Sequence, residues 1–533
     1  DRPVTTPNRS AVGSVVFVGA GPGDPGLLTL RAAEALADAD VVVTDRDDHR
    51  ALLSHARADV EVIDCGRDED GLPLTAAVRS RRVVSASKGG KRVVRLLDGD
   101  PFTHPTGADE ALACAKAGVP FEVVPGVADI TAIPGYAGIP LAAGRKRSVA
   151  IVDAGDKVDW SRHTADTLVL LRADDLAETS AELVAAGRPA DTPAAAIASG
   201  ATVEQRTVVS TVGKLAADVS AAKLSPSVVV IGDVVNHRES LSWFETKPLF
   251  GWRVLVPRTK EQAGALSAAL RRAGGVPEEV PTISVEPPRN PQQIDKAVRG
   301  MVEGRYEWIA FTSYNALRAV KEKLVEYGLD ARAMSGLKVA AVGEKTADAL
   351  RAWGIEPDLI PSGEQSARGL LAEWPPYDEV LDPINRVFLP RADIATETLA
   401  AGLVELGWEV DDVTAYRTVR AAPPPAETRE AIKTGKFDAV VFTSSSTVRN
   451  LVGIAGKPHS STVIACIGPA TAKTAEEHGL RVDVLAPEPS VEVLAESLAD
   501  YGAARRLSLI DAGEPVTRPS EKRRRRAARR QAT

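Results

Sequence analysis

Short runs of apolar residues alternate with amphipathic, helix-like stretches along most of the chain. The apolar run at 15–18 precedes a stretch at 27–37 in which apolar residues recur at helical spacing. The run at 253–256 precedes a similar stretch at 262–273. Short apolar runs are typical of buried strands, and their alternation with helices indicates largely parallel sheets. The pattern therefore predicts an α/β fold.

This alternation is interrupted at two places, which predict domain boundaries. A polar, non-periodic stretch at 236–250 separates a buried strand within 226–235 from a new strand that begins near 251. A second boundary is expected near Gly502, because the last periodic helix, at 490–500, ends just before it.

Similar motifs recur in the second half at an offset of roughly 130 residues, which is too long for a solenoid period. Phe-Thr-Ser at 311–313 recurs at 442–444, and Val-Pro-Arg at 256–258 recurs as Leu-Pro-Arg at 389–391. The motif at 341–347 is echoed at 466–472. The repeat predicts two similar α/β domains that face each other across a ligand cleft.

A glycine-rich turn, Val-Gly-Ala-Gly-Pro-Gly-Asp-Pro at 18–25, follows the first predicted strand. Glycines let a backbone turn sharply and approach a ligand closely. The spacing differs from the dinucleotide-binding fingerprint, because Asp24 occupies the third glycine position. By itself the turn is equally compatible with a purely structural role.

Later motifs give this turn a context. They are Leu-Asp-Gly-Asp-Pro at 97–101, Val-Val-Pro-Gly-Val at 123–127, Gly-Ile-Pro-Leu at 138–141 and Val-Ile-Gly-Asp-Val at 230–234. In this order they resemble the tetrapyrrole methylase family, most closely its uroporphyrinogen-III C-methyltransferases, over residues 14–235. The resemblance implies a two-lobed α/β fold that binds S-adenosylmethionine (SAM) between its lobes, often as a homodimer. It implies a SAM site lined by Pro22, Gly23, Asp98, Gly99, Asp100 and Thr103, with Asp45 at the position of a proposed catalytic base.

Several residues depart from this family's pattern. Thr44 replaces a Tyr, and Arg67 replaces a Lys that is a proposed proton donor, so a permanent cation stands there. The Arg that normally follows the Gly-Asp-Pro loop is absent from 104–107. Arg172 replaces part of a small apolar wall and is expected to disturb the cofactor pocket. Two alternatives follow: an active SAM-dependent methylase, or a non-catalytic scaffold or tetrapyrrole-binding module.

The second half resembles uroporphyrinogen-III synthase from 251 to about 502, on the ordered set of repeated motifs and on Val-Thr-Ala-Tyr-Arg-Thr at 413–418. The resemblance implies a cofactor-free cyclisation of the linear tetrapyrrole hydroxymethylbilane with inversion of ring D. The fusion supports both resemblances, since the product of the synthase is the substrate of the methylase.

Linear and cyclic tetrapyrroles of this pathway are polycarboxylates, whereas the chain has a net charge of −7 at pH 7. Local donors must therefore bind them. Thr312 with Ser313, and Thr443 with Ser444, lie between a strand and a helix start, where a hydroxyl caps the helix and N–H groups face an anion. Further expected substrate ligands are Gly343, Gly468, Arg258, Arg391 and Ser490, although Ser490 is expected first as a helix cap. Simple caps and surface charges are the competing interpretations.

The cyclisation begins with loss of a hydroxyl group, which a nearby proton donor assists. Tyr416 is the candidate donor, and a packing tyrosine is the alternative interpretation. Because the substrate also cyclises unaided to the wrong isomer, control of its shape is expected to matter more than any single acid. A third hypothesis is a two-lobed ligand-binding regulator without catalysis.

The composition is that of a globular protein, with 44% hydrophobic and 26% charged residues. No apolar run approaches the roughly 20 residues of a membrane span, and no secretory signal is visible. The three separated cysteines fit neither a disulfide framework nor a zinc site, so a reducing cytoplasm and no metal are expected.

Seven basic groups lie at 522–530. They are interpreted as a solvated tail, and nucleic acid is not expected as a partner.

The predicted organisation follows from these boundaries. It comprises a methylase-like domain at 14–235, a linker at 236–250, a synthase domain at 251–503 with one lobe at 251–282 plus 421–503 and the other at 283–420, and a basic, disordered tail at 504–533.

Overall fold

A computed structural model describes residues 13–45, 47–259 and 263–521. These residues form four five-stranded sheets flanked by helices, which confirms the α/β fold class. The described residues divide into two compact units. The first contains 13–252, 270–276 and 499–516, and the second contains the remainder. The seven basic groups at 522–530 lie outside the described residues.

The described part of the first half contains ten strands and seven α-helices. The strands are β1 (Ser14–Gly19), β2 (Val41–Thr44), β3 (Glu61–Asp64), β4 (Arg92–Leu97), β5 (Phe121–Val124), β6 (Val149–Asp153), β7 (Thr167–Leu171), β8 (Pro193–Ala198), β9 (Arg206–Thr211) and β10 (Val228–Ile231). The helices are α1 (Leu30–Asp38), α2 (Ala76–Ala86), α3 (Pro105–Lys116), α4 (Asp129–Tyr136), α5 (Leu176–Ala185), α6 (Leu215–Ala221) and α7 (Arg238–Leu241).

The first sheet is parallel throughout, in the order β3-β2-β4-β1-β5. Its central strands are almost wholly buried; Val15 and Phe17 pack into one apolar cluster and Val18 into another. Burial on both faces explains why these strands are continuous apolar runs rather than alternating ones.

The second sheet, β6-β7-β10-β8-β9, is mostly antiparallel. Only β6 and β7 pair in parallel, whereas β10 is antiparallel to β7 and β8, and β8 is antiparallel to β9. The prediction of largely parallel sheets is therefore wrong here. The connection at 199–205 is too short for the crossover that a parallel pair needs.

In the second half, the residues that the structure describes form ten further strands and ten α-helices. The strands are β11 (Arg253–Arg258), β12 (Val276–Pro281), β13 (Ile283–Glu286), β14 (Trp308–Phe311), β15 (Lys338–Ala341), β16 (Arg386–Ala392), β17 (Glu409–Arg420), β18 (Ala439–Phe442), β19 (Val463–Cys466) and β20 (Val484–Leu485). The helices are α8 (Ala263–Arg272), α9 (Gln292–Val302), α10 (Tyr314–Glu326), α11 (Glu344–Ala352), α12 (Ala367–Glu373), α13 (Thr398–Glu405), α14 (Ala426–Thr434), α15 (Ser445–Ala455), α16 (Pro469–Glu477) and α17 (Val491–Asp511).

These strands form two sheets, and the chain leaves one sheet and later returns to it. Strands between 283 and 420 form the sheet β13-β17-β16-β14-β15. The strands before and after them form the sheet β12-β11-β18-β19-β20. Each sheet therefore receives strands from both copies of the sequence repeat.

The stretch at 236–250, predicted as a linker, is packed within the first unit. The Trp243 indole N–H donates to the Gly135 carbonyl at 2.9 Å, and the rings of Trp243 and Phe244 lie 5.0 and 4.7 Å from the ring of Tyr136. Aromatic side chains bury a large apolar area, so a non-periodic segment can still be fixed in place.

The last long helix also differs from its prediction. Helix α17 continues to Asp511 instead of ending near Asp500, so the tail expected to be disordered from 504 begins as helix. Leu509 is buried, and Arg506 donates to the Glu245 carbonyl at 3.4 Å. These contacts hold the added turns against the first unit.

The three cysteines are buried and free. Burial raises the pKa of Cys65 and of Cys114 to about 11 and that of Cys466 to about 12, so the thiols stay protonated at neutral pH. Among the helices of the described ranges, none is long and apolar enough to cross a bilayer.

Candidate active sites

The loops that follow β1, β4 and β5 meet at a glycine junction formed by Gly19, Gly99 and Gly126. A Cβ atom on Gly126 would lie 2.2 Å from the Gly99 carbonyl oxygen, and one on Gly19 would lie 2.5 Å from Gly126 Cα. Gly21 and Gly99 exchange backbone hydrogen bonds of 3.2 and 2.9 Å. Only glycine permits this approach. The junction brings the turn of Pro22 beside the loop at 98–100.

Hydrogen bonds to Asp100 stabilise the conformation of this loop. Its Oδ1 accepts from the Gly126 N–H and its Oδ2 from the Phe102 N–H, both at 3.0 Å. The Thr103 hydroxyl donates to the Asp100 carbonyl at 3.0 Å. Two residues predicted to contact SAM therefore also determine the shape of the loop.

Asp98, in the same loop, is held by a side chain that the sequence analysis did not identify. Its Oδ1 lies 2.7 Å from His49 Nε2, and His49 Nδ1 lies 2.7 Å from the Thr44 hydroxyl. Thr44 and His49 are buried, whereas 38% of the Asp98 side chain is exposed. The only sequence signal for this Thr44–His49–Asp98 chain is the Thr that replaces the family's Tyr.

Asp45, the candidate base, lies over a buried ion pair. Arg95 Nη1 is 3.5 Å from Asp45 Oδ1, and the same guanidinium binds Glu110 through two contacts of 2.7 and 2.9 Å. Arg95 and Glu110 are almost completely buried. Burial by itself lowers the pKa of Arg95, but the hydrogen bonds to Glu110 and the negative charges of Glu110 and Asp45 together outweigh it and raise that pKa.

The glycine-rich turn also contacts the second sheet's loops. A Cβ atom on Gly23 would lie 2.9 Å from the Gly200 carbonyl oxygen. Asp24 accepts hydrogen bonds from the Gly26 N–H at 2.8 Å and from the Tyr136 hydroxyl at 2.7 Å. Burial, together with this bond to Asp24, raises the pKa of Tyr136. The predicted SAM residues therefore lie where the two sheets of the first unit meet.

Two arginines that depart from the family pattern, Arg172 and Arg67, form hydrogen bonds within the protein. Arg172 binds Asp153 through Nε and Nη2 at 2.9 and 2.7 Å. Burial by itself raises the pKa of Asp153, but these hydrogen bonds, the one from the Gly155 N–H and the Arg172 charge together outweigh it and hold that pKa low. Arg67 Nη1 donates to the Gly71 carbonyl at 2.7 Å. The Arg172 guanidinium is thus occupied by a carboxylate and 57% of the side chain is exposed.

In the second unit, four helices begin directly after parallel strands. Ser313 caps α10 by accepting from the Ala316 N–H at 3.2 Å. Ser444 caps α15 by accepting from the Thr447 N–H at 3.2 Å, and the Thr447 hydroxyl accepts from the Ser444 N–H. The prediction that a hydroxyl caps the helix at each turn is confirmed for both serines, while Thr312 and Thr443 are half-buried beside them.

The other two helix starts are glycines. Gly343 precedes α11 with a φ of 85°, and Gly468 precedes α16 in an extended conformation with a φ of −167°. No atom lies within 4 Å of where a Cβ would stand on either glycine. Because these positions are open, a ligand could approach the backbone N–H groups closely.

Tyr416 and Ser313 are brought together by the sheet. Tyr416 lies on β17 and is 9% exposed, and its hydroxyl is 3.0 Å from Ser313 Oγ. The candidate proton donor therefore lies beside the start of α10, at one of the proposed anion sites.

The two repeat-related arginines differ in their surroundings. Arg258 keeps 37% of its side chain exposed, with Nη1 3.8 Å from Glu279 Oε2. Arg391 is buried and binds both carboxylate oxygens of Asp412, with 3.0 Å between Nε and Oδ1, and it also donates to the Thr396 carbonyl. A substrate carboxylate would have to compete with Asp412 for Arg391, a partner that the sequence pattern did not reveal.

Ser490 lies immediately before α17, as its role as a cap requires. Its hydroxyl accepts from the Val493 N–H at 3.4 Å and donates to Glu492 at 2.9 Å. The proposed substrate ligands thus belong to two sheets. Those of the β14 sheet are Thr312, Ser313, Gly343, Arg391 and Tyr416, and those of the β18 sheet are Arg258, Thr443, Ser444, Gly468 and Ser490.

Comparison with known families assigns both halves. Residues 14–216 match the model of tetrapyrrole (corrin/porphyrin) methylases, and residues 264–496 match that of uroporphyrinogen-III synthase HemD. These matches confirm both resemblances and define the class, an enzyme that joins a tetrapyrrole methylase domain to a uroporphyrinogen-III synthase domain. A porphyrin biosynthesis protein HemD of Ruminiclostridium josui is 33% identical over 506 residues, which cover 92% of this chain and 98% of the relative. The chain belongs to this HemD family of porphyrin biosynthesis proteins.

Other relatives match one half each. Siroheme synthase 2 of Aeromonas hydrophila is 38% identical over 248 residues, which cover 44% of this chain and 52% of that protein. The uroporphyrin-III C-methyl transferase of Thermus thermophilus, solved in complex with S-adenyl homocysteine, is 30% identical with a TM-score of 0.36, over 42% of this chain and 99% of that one. A mutant uroporphyrinogen III synthase of the same organism is 20% identical with a TM-score of 0.31, over 48% and 99% of the two chains.

Proposed function

We propose that the chain carries out two consecutive steps of tetrapyrrole synthesis. The second half cyclises hydroxymethylbilane with inversion of ring D, and the first half methylates the resulting uroporphyrinogen III at positions 2 and 7 with SAM, which gives precorrin-2. The domain boundaries that we propose are 14–235 for the methylase domain and 251–503 for the synthase domain, with homodimer formation through the first domain. The Ser313–Tyr416 pair beside a helix start is the observation that carries the synthase part of the proposal.

In the synthase half, the starts of α10, α11, α15 and α16 supply positive dipole ends for the substrate carboxylates, and this half needs no cofactor. Tyr416 donates a proton to the hydroxyl of the hydroxymethyl group as its C–O bond breaks and water leaves. The cationic azafulvene that remains is attacked by the substituted carbon of ring D. Ser313, which is within hydrogen-bond distance of Tyr416, orients the phenol.

In the methylase half, the glycine-rich turn at 18–25 and the loop at 98–100 suit a cofactor that requires close approach to the backbone. Pro22, Gly23, Asp98, Gly99, Asp100 and Thr103 would hold SAM, which supplies the methyl group. Asp45 accepts the proton that the methylated pyrrole loses, and Arg95 beneath it keeps the carboxylate oriented.

Tyr416→Phe is expected to lower the rate of hydroxymethylbilane consumption by about tenfold, less than a general acid usually contributes, because the substrate is intrinsically reactive. The measurement is the rate together with the ratio of isomers I and III separated by chromatography. Tyr327→Phe serves as the control. It removes a different phenol hydroxyl, which donates to Asp295 at 3.2 Å, from the helices that pack on the same sheet. An unchanged rate and isomer ratio in Tyr416→Phe would remove Tyr416 from the mechanism.

Gly468→Ala is expected to leave the free energy of unfolding within about 0.5 kcal/mol of wild type, since the methyl group meets no protein atom. The KM for hydroxymethylbilane should rise several-fold, because the methyl group blocks approach to the start of α16. Gly363→Ala, equally unhindered in a loop, is the control. An unchanged KM in a folded Gly468→Ala protein would exclude this helix start from the substrate site.

Titration of the full chain with SAM by calorimetry tests the methylase half. Binding in the micromolar range supports the proposal. No detectable heat up to about 1 mM SAM would leave this half as a scaffold or tetrapyrrole-binding module.

A further inference from the structure

We propose that the segment at 236–250 positions the glycine-rich turn at 18–25, and that Tyr136 and Glu245 are the positioning residues through which it acts. The proposal rests on the SAM site proposed for the first half. The turn carries Pro22 and Gly23, so contacts that fix its shape also fix where these two proposed cofactor ligands lie. The segment is connected to the turn from two sides.

The first connection runs from Tyr136 to the residue that follows Gly23 in the chain. The Tyr136 hydroxyl donates to Asp24 Oδ2 at 2.7 Å, and Asp24 Oδ1 accepts from the Gly26 N–H at 2.8 Å. Both carboxylate oxygens of Asp24 are therefore held. Hydrogen bonds to an ionised carboxylate are stronger than those between neutral groups, so the phenol restrains the turn.

The segment in turn holds Tyr136 at the end of α4. The ring of Trp243 lies edge-on to the ring of Tyr136, with 5.0 Å between their centroids. The Trp243 indole N–H donates to the Gly135 carbonyl at 2.9 Å, and the Arg238 guanidinium donates to the Ala137 carbonyl. The backbone on both sides of Tyr136 is thus bonded to the segment, and the direction of the phenol hydroxyl depends on it.

The second connection runs from Glu245 through the loop at 199–205. Glu245 Oε2 accepts from the Gln205 side-chain amide at 3.1 Å and from the Thr207 hydroxyl at 2.9 Å. Gln205 Oε1 accepts from the Ala201 N–H at 2.8 Å, and both residues are buried. Hydrogen bonds in a buried environment are stronger than in water, so Glu245 fixes Gln205 and Gln205 fixes the loop.

This loop lies against the glycine-rich turn. A Cβ atom on Gly23 would lie 2.9 Å from the Gly200 carbonyl oxygen and 2.9 Å from Thr202 Cγ2. Ser199 and Ala201 have φ values of 50° and 57°, in the left-handed region. Residues other than glycine persist in that region only where the surrounding structure holds them, so the loop depends on its support from Glu245.

The experiment measures the dissociation constant of SAM by calorimetry, together with KM for SAM and kcat of methylation, on the full chain. Tyr136→Phe keeps the ring and removes the donor, and it is expected to weaken SAM binding and raise KM about tenfold, because the turn loses its place. The kcat at saturating SAM should change less than twofold, since Asp45 is untouched. Asp24→Ala should weaken SAM binding at least as much, and adding Tyr136→Phe to it should have less than a twofold further effect.

Two variants test the segment itself. Glu245→Gln weakens the acceptor for Gln205, and Trp243→Leu removes both the ring and the indole donor; each should weaken SAM binding about threefold. Ser210→Ala is the control, because it removes another hydroxyl that donates to a carboxylate, that of Asp218, within the same unit. It should leave SAM affinity unchanged. Urea unfolding of every variant verifies that the first unit is folded under the conditions of the titration.

Each other outcome contradicts the proposal in a recognisable way. Wild-type SAM affinity in both Tyr136→Phe and Glu245→Gln would overturn this inference and leave the proposed SAM site intact. Multiplied losses in the double variant would show that Tyr136 does not act through Asp24. An equal loss in Ser210→Ala would assign the effect to general destabilisation of the unit. Wild-type protein that does not bind SAM would overturn the proposed SAM site itself, and this inference with it.

Discussion

Replacing Gly126 with alanine is expected to weaken SAM binding by about 100-fold, because a displacement near 1 Å in a binding loop has effects of that size. The new methyl group would lie 2.2 Å from the Gly99 carbonyl oxygen and 2.7 Å from Gly19 Cα, both backbone atoms. The loops after β1 and β4 must therefore separate. Such overpacking also costs about 1–3 kcal/mol of the free energy of unfolding.

Calorimetry with SAM and urea unfolding followed by circular dichroism measure these effects. Gly135→Ala is the matched control, since Gly135 lies nearby in α4 with no atom within 4 Å of its Cβ position. Alanine there should be neutral or slightly stabilising. Full SAM affinity in Gly126→Ala would show that the glycine junction does not shape the site.

Glu110→Ala is expected to destabilise the first unit by about 3–5 kcal/mol, because it leaves the buried Arg95 cation without its main partner. The same change loosens the Arg95 guanidinium that orients Asp45, so methylation should fall along with stability. The measurement is the unfolding transition of the first unit in urea.

Two comparisons separate this effect from a general loss of charge. Glu322→Ala breaks an exposed pair with Arg318 and should cost less than about 1 kcal/mol. The double change Arg95→Met with Glu110→Leu should recover part of the loss, since it leaves no unpaired charge. A cost below about 1 kcal/mol for Glu110→Ala would mean that solvent reaches Arg95.

The sequence predicts those parts of the fold that depend on residues close together in the chain. Continuous apolar runs indicate β1 and β11, and serines at strand ends indicate the starts of α10 and α15, because caps and turns depend on neighbouring residues. The antiparallel second sheet was missed because apolar content alone does not specify strand direction.

Pairs formed across long sequence separations were also missed. His49 meets Asp98 and Arg391 meets Asp412 only after the sheets have formed, so no spacing rule indicates them. The sequence predicts a linker at 236–250 because the aromatic residues of this segment, unlike the apolar residues of an amphipathic helix, have no period. Local patterns thus located the proposed binding backbone, but not the partners that orient its charged groups.

The most direct test supplies the full chain with hydroxymethylbilane, with and without SAM, and separates the products by isomer and mass. We expect isomer III alone when SAM is absent, and isomer III carrying two additional methyl groups when SAM is present. Formation of only isomer I, with SAM left unconsumed, would contradict the account for both halves of the chain.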